Sequence, residues 1–324
     1  MHAVNDLYQL ANQAIARSVY TLGPKELYEP ITYMMDLGGK RVRPILLLMA
    51  CSLFSDDLQQ AMDPAVGIEL FHNFTLMHDD IMDHAPTRRG KPAVHEKWSD
   101  TTAILSGDVM LIEAYKRIMC VDAAILPSIL SIFNDIAVGV CQGQQMDMNF
   151  ERQDHIHVDD YLEMIRLKTA VLLGGALKIG ALIGGGSGED AALLYTFGET
   201  IGIAFQLQDD LLDVYGDPEK FGKQVGGDIL SNKKTFLLIK AQELADGETK
   251  EQLDSWLVNS QADSQQKINA VTAIYNRLNI RCIVEEARNS FMDRALLSLD
   301  QLRVSEDKKV GLSSFAEQIL VRER

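Results

Sequence analysis

Apolar positions recur at helical spacing along most of the chain. Over residues 3–20, Leu7, Leu10, Ala14 and Ile15 mark one side of a first amphipathic helix. After Gly23-Pro24 a second pattern runs from Leu27 to Leu37 and stops at Gly38-Gly39, a pair suited to a left-handed helix end. Lys40-Arg41-Val42-Arg43-Pro44 then leads into an apolar helix, Ile45 to Phe54, and Pro64 opens another. Further helices are predicted over Thr101–Met119, Leu126–Met148 and Tyr161–Leu173, the last preceded by Asp159-Asp160 as an acidic start. Thr169 to Gly186 is apolar enough to resemble a membrane span, but Lys178 and several glycines make it a buried helix with small residues for close packing. The pattern breaks at Tyr215-Gly216-Asp217-Pro218 and resumes after Thr235 with mixed charge to Arg324. The whole reads as an all-α bundle.

Composition agrees with that reading and narrows the function. A chain of 324 residues with 47% hydrophobic content buries a large core, and eight prolines leave helix almost uninterrupted. The net charge of −15 argues against nucleic acid, which needs a basic face. Within this acidic chain the bases cluster at Lys40, Arg41 and Arg43, at Arg88, Arg89 and Lys91, and from Lys220 to Lys240, where a polyanion could sit. Four cysteines without paired spacing, Cys51, Cys120, Cys141 and Cys282, suggest reduced core thiols in a cytoplasmic protein. The start, MHAVNDLYQLANQ, lacks the pattern of a signal peptide, and no stable membrane insertion is expected.

The candidate chemistry lies in two acidic repeats. In Leu76–His95 the three acids Asp79, Asp80 and Asp83 precede Arg88-Arg89. A helix puts Asp79 and Asp83 on one face and Asp80 to the side. Carboxylates so close repel one another, and a hard divalent cation such as magnesium would offset that cost. Two arginines alongside would supply bidentate phosphate contacts. Taken alone, the stretch fits a solvated acidic helix end with a basic loop equally well. The same DDxxD spacing returns at Asp209, Asp210 and Asp213, where Gln206 completes an i, i+3, i+4, i+7 stripe and Leu207, Leu211 and Leu212 face elsewhere. Two such helices facing each other across a cavity would hold metals around a diphosphate.

Five motifs in order, GGKRVRP at 38–44, DDIMD at 79–83 with Arg88-Arg89, Lys168-Thr169, QLQDDLLD at 206–213 and Lys223, resemble the trans-type polyprenyl diphosphate synthases. The resemblance runs from about Gly38 to Thr235. It implies one polyprenyl synthase domain over residues 1–324, a single large helical bundle of the isoprenoid synthase type around a central cavity. It implies a homodimer as well. The implied reaction is magnesium-dependent joining of isopentenyl diphosphate to an allylic diphosphate, with three ions held by Asp79, Asp80, Asp83, Asp209, Asp210 and Asp213. Asp79, Asp83 and Asp209 rank as the most direct ligands. Lys40 and Arg43, helped by Arg41, hold the homoallylic diphosphate together with His72 and Arg89, and Arg88 is a further substrate-binding residue; Lys223 contacts the allylic one and Lys233 follows on loop closure. The Lys168 backbone, the Thr169 hydroxyl and the Gln206 amide stabilise the developing cation. Phe71 and Thr75 line the wall below the acids and Phe74 stands where the family sets a product-length floor, so the expected product has fifteen or twenty carbons. Asp147 is read as a surface acid, and the chain beyond Thr235 as carrying no chemistry. A terpene cyclase and a non-catalytic subunit of a heteromeric synthase are the alternatives. The first usually replaces the second acid motif with Asn, Ser or Thr and Glu, and the second typically loses an acid motif.

Overall fold

The computed structural model describes residues 4–18, 20, 23–153, 155–217, 225–259 and 263–320. Sixteen α-helices, a π turn and one two-stranded hairpin make up the described chain. They are α1 (Val4–Arg17), α2 (Lys25–Asp36), α3 (Val42–Phe54), α4 (Gln59–Met82), β1 (Thr87–Arg88), β2 (Lys91–Pro92), α5 (Val94–Lys97), α6 (Asp100–Ile118), α7 (Leu126–Phe150) and α8 (Val158–Ile165). The π turn Arg166–Ala170 follows, then α9 (Val171–Ile183) and α10 (Gly188–Tyr215). The remainder is α11 (Gly227–Leu230), α12 (Phe236–Leu244), α13 (Gly247–Val258), α14 (Ser264–Arg277), α15 (Ile280–Asp300) and α16 (Glu306–Leu320). The described chain is almost wholly helical, as the apolar spacing predicts.

Contacts divide the chain into two compact units. The first comprises Met1–Asp135, Leu172–Tyr195 and Gln301–Leu312; the second comprises Ile136–Val171, Thr196–Asp300 and Ser313–Arg324. In the first, α1 buries Leu7, Ala11 and Ile15, one per turn, as its pattern predicts. Nearly every residue of α3 is buried, from Pro44 to Leu53. Its tight partner is α9: a side chain at Gly180 would overlap the Leu47 carbonyl, and one at Gly184 would come within 3.1 Å of the Cys51 Cα. The apolar stretch around α9 is thus a core helix whose glycines admit a neighbouring backbone. In the second unit the core gathers Tyr161, Leu207, Leu211, Phe236, Leu253 and Ile274 from α8, α10, α12, α13 and α14.

Three local expectations differ from what is observed. Pro64 does not open α4; the helix begins at Gln59 and Pro64 is its sixth residue, buried, where its ring packs but its missing N–H breaks one backbone bond. The predicted Tyr161–Leu173 helix is interrupted by the π turn at 166–170. Only Cys51 is a core thiol; Cys120, Cys141 and Cys282 are exposed. One helix among the described residues, α7, is long and apolar enough to cross a membrane, and 39% of its apolar window is buried.

Candidate active site

Helix α2 ends at Asp36 with Leu37 as its cap, and Gly38, with φ of +78°, starts a sharp loop; Gly39 and Arg41 follow with φ of +129° and +49°. That loop is pinned by Arg41, which donates to Glu69 Oε1 at 2.7 Å and to the Met35 carbonyl at 2.6 Å while almost fully buried. Asn73 also donates to Glu69, at 3.2 Å. Arg41 was expected to assist the homoallylic diphosphate, but its guanidinium is committed to a buried carboxylate, and its geometry is that of a loop anchor. Removing one partner of such a pair leaves an uncompensated buried charge, at about 3–5 kcal/mol.

The loop delivers its other cations to the C-terminal half of α4. Arg43 donates to His72 Nε2 at 3.0 Å, and since guanidinium has no acceptor, that nitrogen carries no proton. Burial, then Arg43, Arg89, Arg88 and Arg41, hold the His72 pKa well below 6.5. The imidazole is therefore neutral and orients Arg43 instead of adding charge. Arg89 donates to the Gly38 carbonyl and its guanidinium lies across Gly39, where a Cβ would come within 2.9 Å of it. Burial lowers the Arg89 pKa, opposed by Glu69 and reinforced by Arg41 and Arg88. Lys40 is exposed at the same loop. Positive charge is thus concentrated around one neutral histidine.

Helix α4 continues into the first acid motif. Asp80 is 1% exposed and grips Arg88 through both Nε and Nη2. Asp79 is half-buried and Asp83 exposed. Burial raises the Asp80 pKa while Arg88 opposes it. Phe71, expected as cavity wall, is a core residue packed edge-on to Phe133 at 5.2 Å and tilted against Phe74 at 5.7 Å. Phe74 stacks edge-on with His78 at 4.9 Å, and the Thr75 hydroxyl donates to the His72 carbonyl.

In the second unit α10 carries the second acid motif with a parallel layout. Asp210 is 3% exposed and accepts from the Tyr161 hydroxyl at 2.5 Å, with Gln206 Nε2 at 3.4 Å. Burial lifts the Asp210 carboxyl to about 7. Asp209 and Asp213 are half-buried, and Asp213 accepts from the backbone N–H of Asp228 at 2.9 Å. Lys233 approaches Asp228 at 3.9 Å. Lys168-Thr169 lies in the π turn, and the Lys168 ammonium donates to Asp147 at 2.6 Å. Asp147 is accordingly not the solvated surface acid its sequence context suggests. Lys223 falls outside the described residues, as do Arg322, Glu323 and Arg324.

These elements match one established sequence pattern. The polyprenyl synthetase family model matches residues 24–275, which run through both units. The chain belongs to that family. It is a prenyltransferase, a trans-prenyl diphosphate synthase. It is similar to a short chain isoprenyl diphosphate synthase of Methanothermobacter thermautotrophicus, with 36% identity over 97% of this chain and 96% of that one. It is also similar to a geranylgeranyl diphosphate synthase of Methanosarcina mazei, with 42% identity over 68% of each chain. A crystal structure of a geranylgeranyl pyrophosphate synthase superposes with a TM-score of 0.95, 39% identity and full coverage of both chains.

Sequence reasoning missed several residues of this prenyl synthase that bear on its motifs. Glu69 gave no signal, because a single acid within an apolar helix reads as an irregularity. Tyr161 looked like an ordinary core residue, and its bond to Asp210 joins positions 49 apart. Asp228 stands beside two glycines in the stretch read as a loop, which was a usable hint. Beyond Thr235, where no chemistry is expected, two residues brace segments that carry the motifs. Arg288 of α15 donates to the Gln208 amide oxygen in the second motif. Lys267 of α14 is nearly buried and binds the Leu230 carbonyl and Asn232 Oδ1, at 3.3 and 2.7 Å, bracing the segment before Lys233.

Proposed function

We propose that this prenyl synthase joins isopentenyl diphosphate head to tail to an allylic diphosphate and releases a trans product of fifteen or twenty carbons. The observation that carries the reading is the cationic loop around His72: Arg43, Arg88 and Arg89 converge there on a neutral ring. A terpene cyclase handles one diphosphate and has no use for such a group beside its acid motif. The retained second motif likewise favours a catalytic chain over a silent subunit. The names of the Methanosarcina relative and the superposing crystal structure support twenty carbons.

Lys40, Arg43 and Arg89 would hold the isopentenyl diphosphate, with Arg88 bridging to Asp80 and Arg41 fixing the loop. The two acid motifs would serve the allylic diphosphate through magnesium. Oxygen donors suit that ion, and among the described residues no three or more acidic, histidine or cysteine side chains stand grouped as a ready-made metal cage. Magnesium takes one or two carboxylates and completes its shell with water and phosphate, so dispersed carboxylates fit it. Asp79, Asp83 and Asp209 are the accessible members, whereas Asp80 and Asp210 are committed to Arg88 and Tyr161. When bound, three ions would offset charge on the departing diphosphate. The cation left behind would be met by the dipoles of the π turn, a geometry frequent at functional sites, and by the Thr169 hydroxyl. The isopentenyl double bond attacks that cation, and the departing diphosphate takes the proton. Lys233 would reach the allylic diphosphate, for which the resemblance also assigns Lys223. We read the two units as one catalytic domain, because the family match spans both. The active form is a cytoplasmic homodimer, supported by an apolar stripe along α6 and its C-cap, where Leu105, Ile112 and Met119 repeat every seven residues at 53%, 56% and 48% exposure.

The test is incubation of the purified chain with isopentenyl diphosphate, magnesium and allylic diphosphates of five, ten or fifteen carbons, with products separated by length. Chelator-sensitive elongation to fifteen or twenty carbons is expected. Cyclic hydrocarbon would mean a cyclase, and no turnover by the chain alone would mean a subunit.

A further inference from the structure

One face of α7 holds Lys168 at two points. Gly143 and Asp147 are four residues apart, hence neighbours on that face. At Gly143 the backbones touch: an added Cβ would overlap the Lys168 nitrogen and lie 2.7 Å from its Cα. At Asp147 the carboxylate takes the far end of the same residue, with Nζ to Oδ2 at 2.6 Å and both side chains about one-quarter exposed. A surface ion pair on two free side chains contributes little. This one differs, because the lysine backbone cannot slide relative to the helix that carries its partner. Asp147 also lies within electrostatic reach of Tyr161, the residue that holds Asp210, so the clamp belongs to the neighbourhood of the second acid motif.

We propose that Asp147 is a positioning residue for the prenyl transfer: it holds the Lys168 ammonium extended beside the second acid motif until an allylic diphosphate takes Asp147's place as its anionic partner. A free lysine side chain carries about 2 kcal/mol of rotamer entropy, and ordering it in advance removes that cost from substrate binding. The exchange is of one anion for another around the same ammonium, so the lysine stays paired while the Asp147 carboxylate, one-quarter exposed, is left to solvent. The inference rests on the function proposed above.

A double-mutant cycle tests it, with Asp147→Asn, Lys168→Met and the two combined, and with Asp147→Glu as the conservative variant. KM and kcat are measured separately for the allylic and isopentenyl diphosphates, and circular dichroism and thermal midpoint verify the fold. Asp147→Asn is expected to lower kcat/KM for the allylic substrate at least tenfold and to leave KM for isopentenyl diphosphate within twofold. In the Lys168→Met background the same change should add less than twofold, and Asp147→Glu should restore most of the loss. Unaltered kinetics in a folded Asp147→Asn, equal losses for both substrates, or full additivity with Lys168→Met would each overturn the proposal. If Asp147→Asn fails to fold, the Asp147→Glu and Lys168→Met comparison decides in the same way, a tenfold allylic loss in folded Asp147→Glu counting against it. Elongation by the unmodified enzyme with an additive cycle overturns only this inference, whereas absence of elongation overturns the proposed function and this with it.

Discussion

Asp80 and Asp210 hold the same place in two DDxxD repeats, and both are buried, yet they meet different partners. Asp80 faces the permanent charge of Arg88; Asp210 faces a neutral phenol. Only the second is lifted to about 7. Folded Asp210 therefore keeps its proton up to about pH 7, while the unfolded chain releases it near 3.8. In that window the folded form binds more protons, so stability falls as pH rises. Burial also raises Asp80 and Asp213, which act in the same direction. In chelator, the thermal midpoint should drop by several degrees between pH 5 and 7.5, and the drop should shrink in Asp210→Asn. Parallel curves for the two proteins would rule out Asp210 as the source. Magnesium ligation needs ionised carboxylates, so magnesium with inorganic diphosphate should restore stability mainly at the upper end. Phe74 poses a separate residue-scale question. It is 9% exposed and wedged between Phe71 and His78. Phe74→Ala should lengthen the products and cost about 3–5 kcal/mol through the cavity it leaves. An unchanged product profile from folded protein would remove Phe74 from the floor.

Helix packing shows what glycines accomplish in this chain. Gly180 in α9 and Gly184, just past its last residue, lie four residues apart and bring this segment into backbone contact with α3 at Leu47 and Cys51. Gly180→Ala should lower stability by about 1–3 kcal/mol from overpacking, less about 1 kcal/mol regained in helix propensity. Gly188→Ala, where no atom lies within 4 Å, should be neutral or slightly stabilising. Urea midpoints compare the two, and equal effects would show that contact with α3 is not what Gly180 provides. The π turn is the other element-scale feature. It inserts a wider turn between α8 and α9, and it carries Lys168 and Thr169. Hydrophobic spacing reads the stretch as one helix, because a single skipped bond displaces the pattern by only one residue.

At the scale of the whole molecule, the described residues leave an apolar surface on α6 uncovered. Ile104, Leu105 and Ile112 of α6 are 45–56% exposed, on a helix that otherwise packs well against α4. For the homodimer proposed above, Leu105→Asp with Ile112→Asp should halve the sedimenting mass of the protein. A mass equal to that of the unmodified enzyme would place the subunit contact elsewhere. Of the fold, the helical content, the order of the helices and the stop at Gly38-Gly39 followed from the sequence alone, because spacing of apolar residues and backbone chirality are local properties. The two acid motifs and the basic loop were equally readable, since their meaning lies in residue type and short spacing. Tertiary structure decided which charges are spent and which are offered. Arg41 on Glu69, Arg88 on Asp80, Tyr161 on Asp210 and Asp147 on Lys168 join positions 28, 8, 49 and 21 residues apart. No pattern along the chain encodes those pairings, because burial sets the cost of an unpaired charge and only the packed helices determine what is buried together.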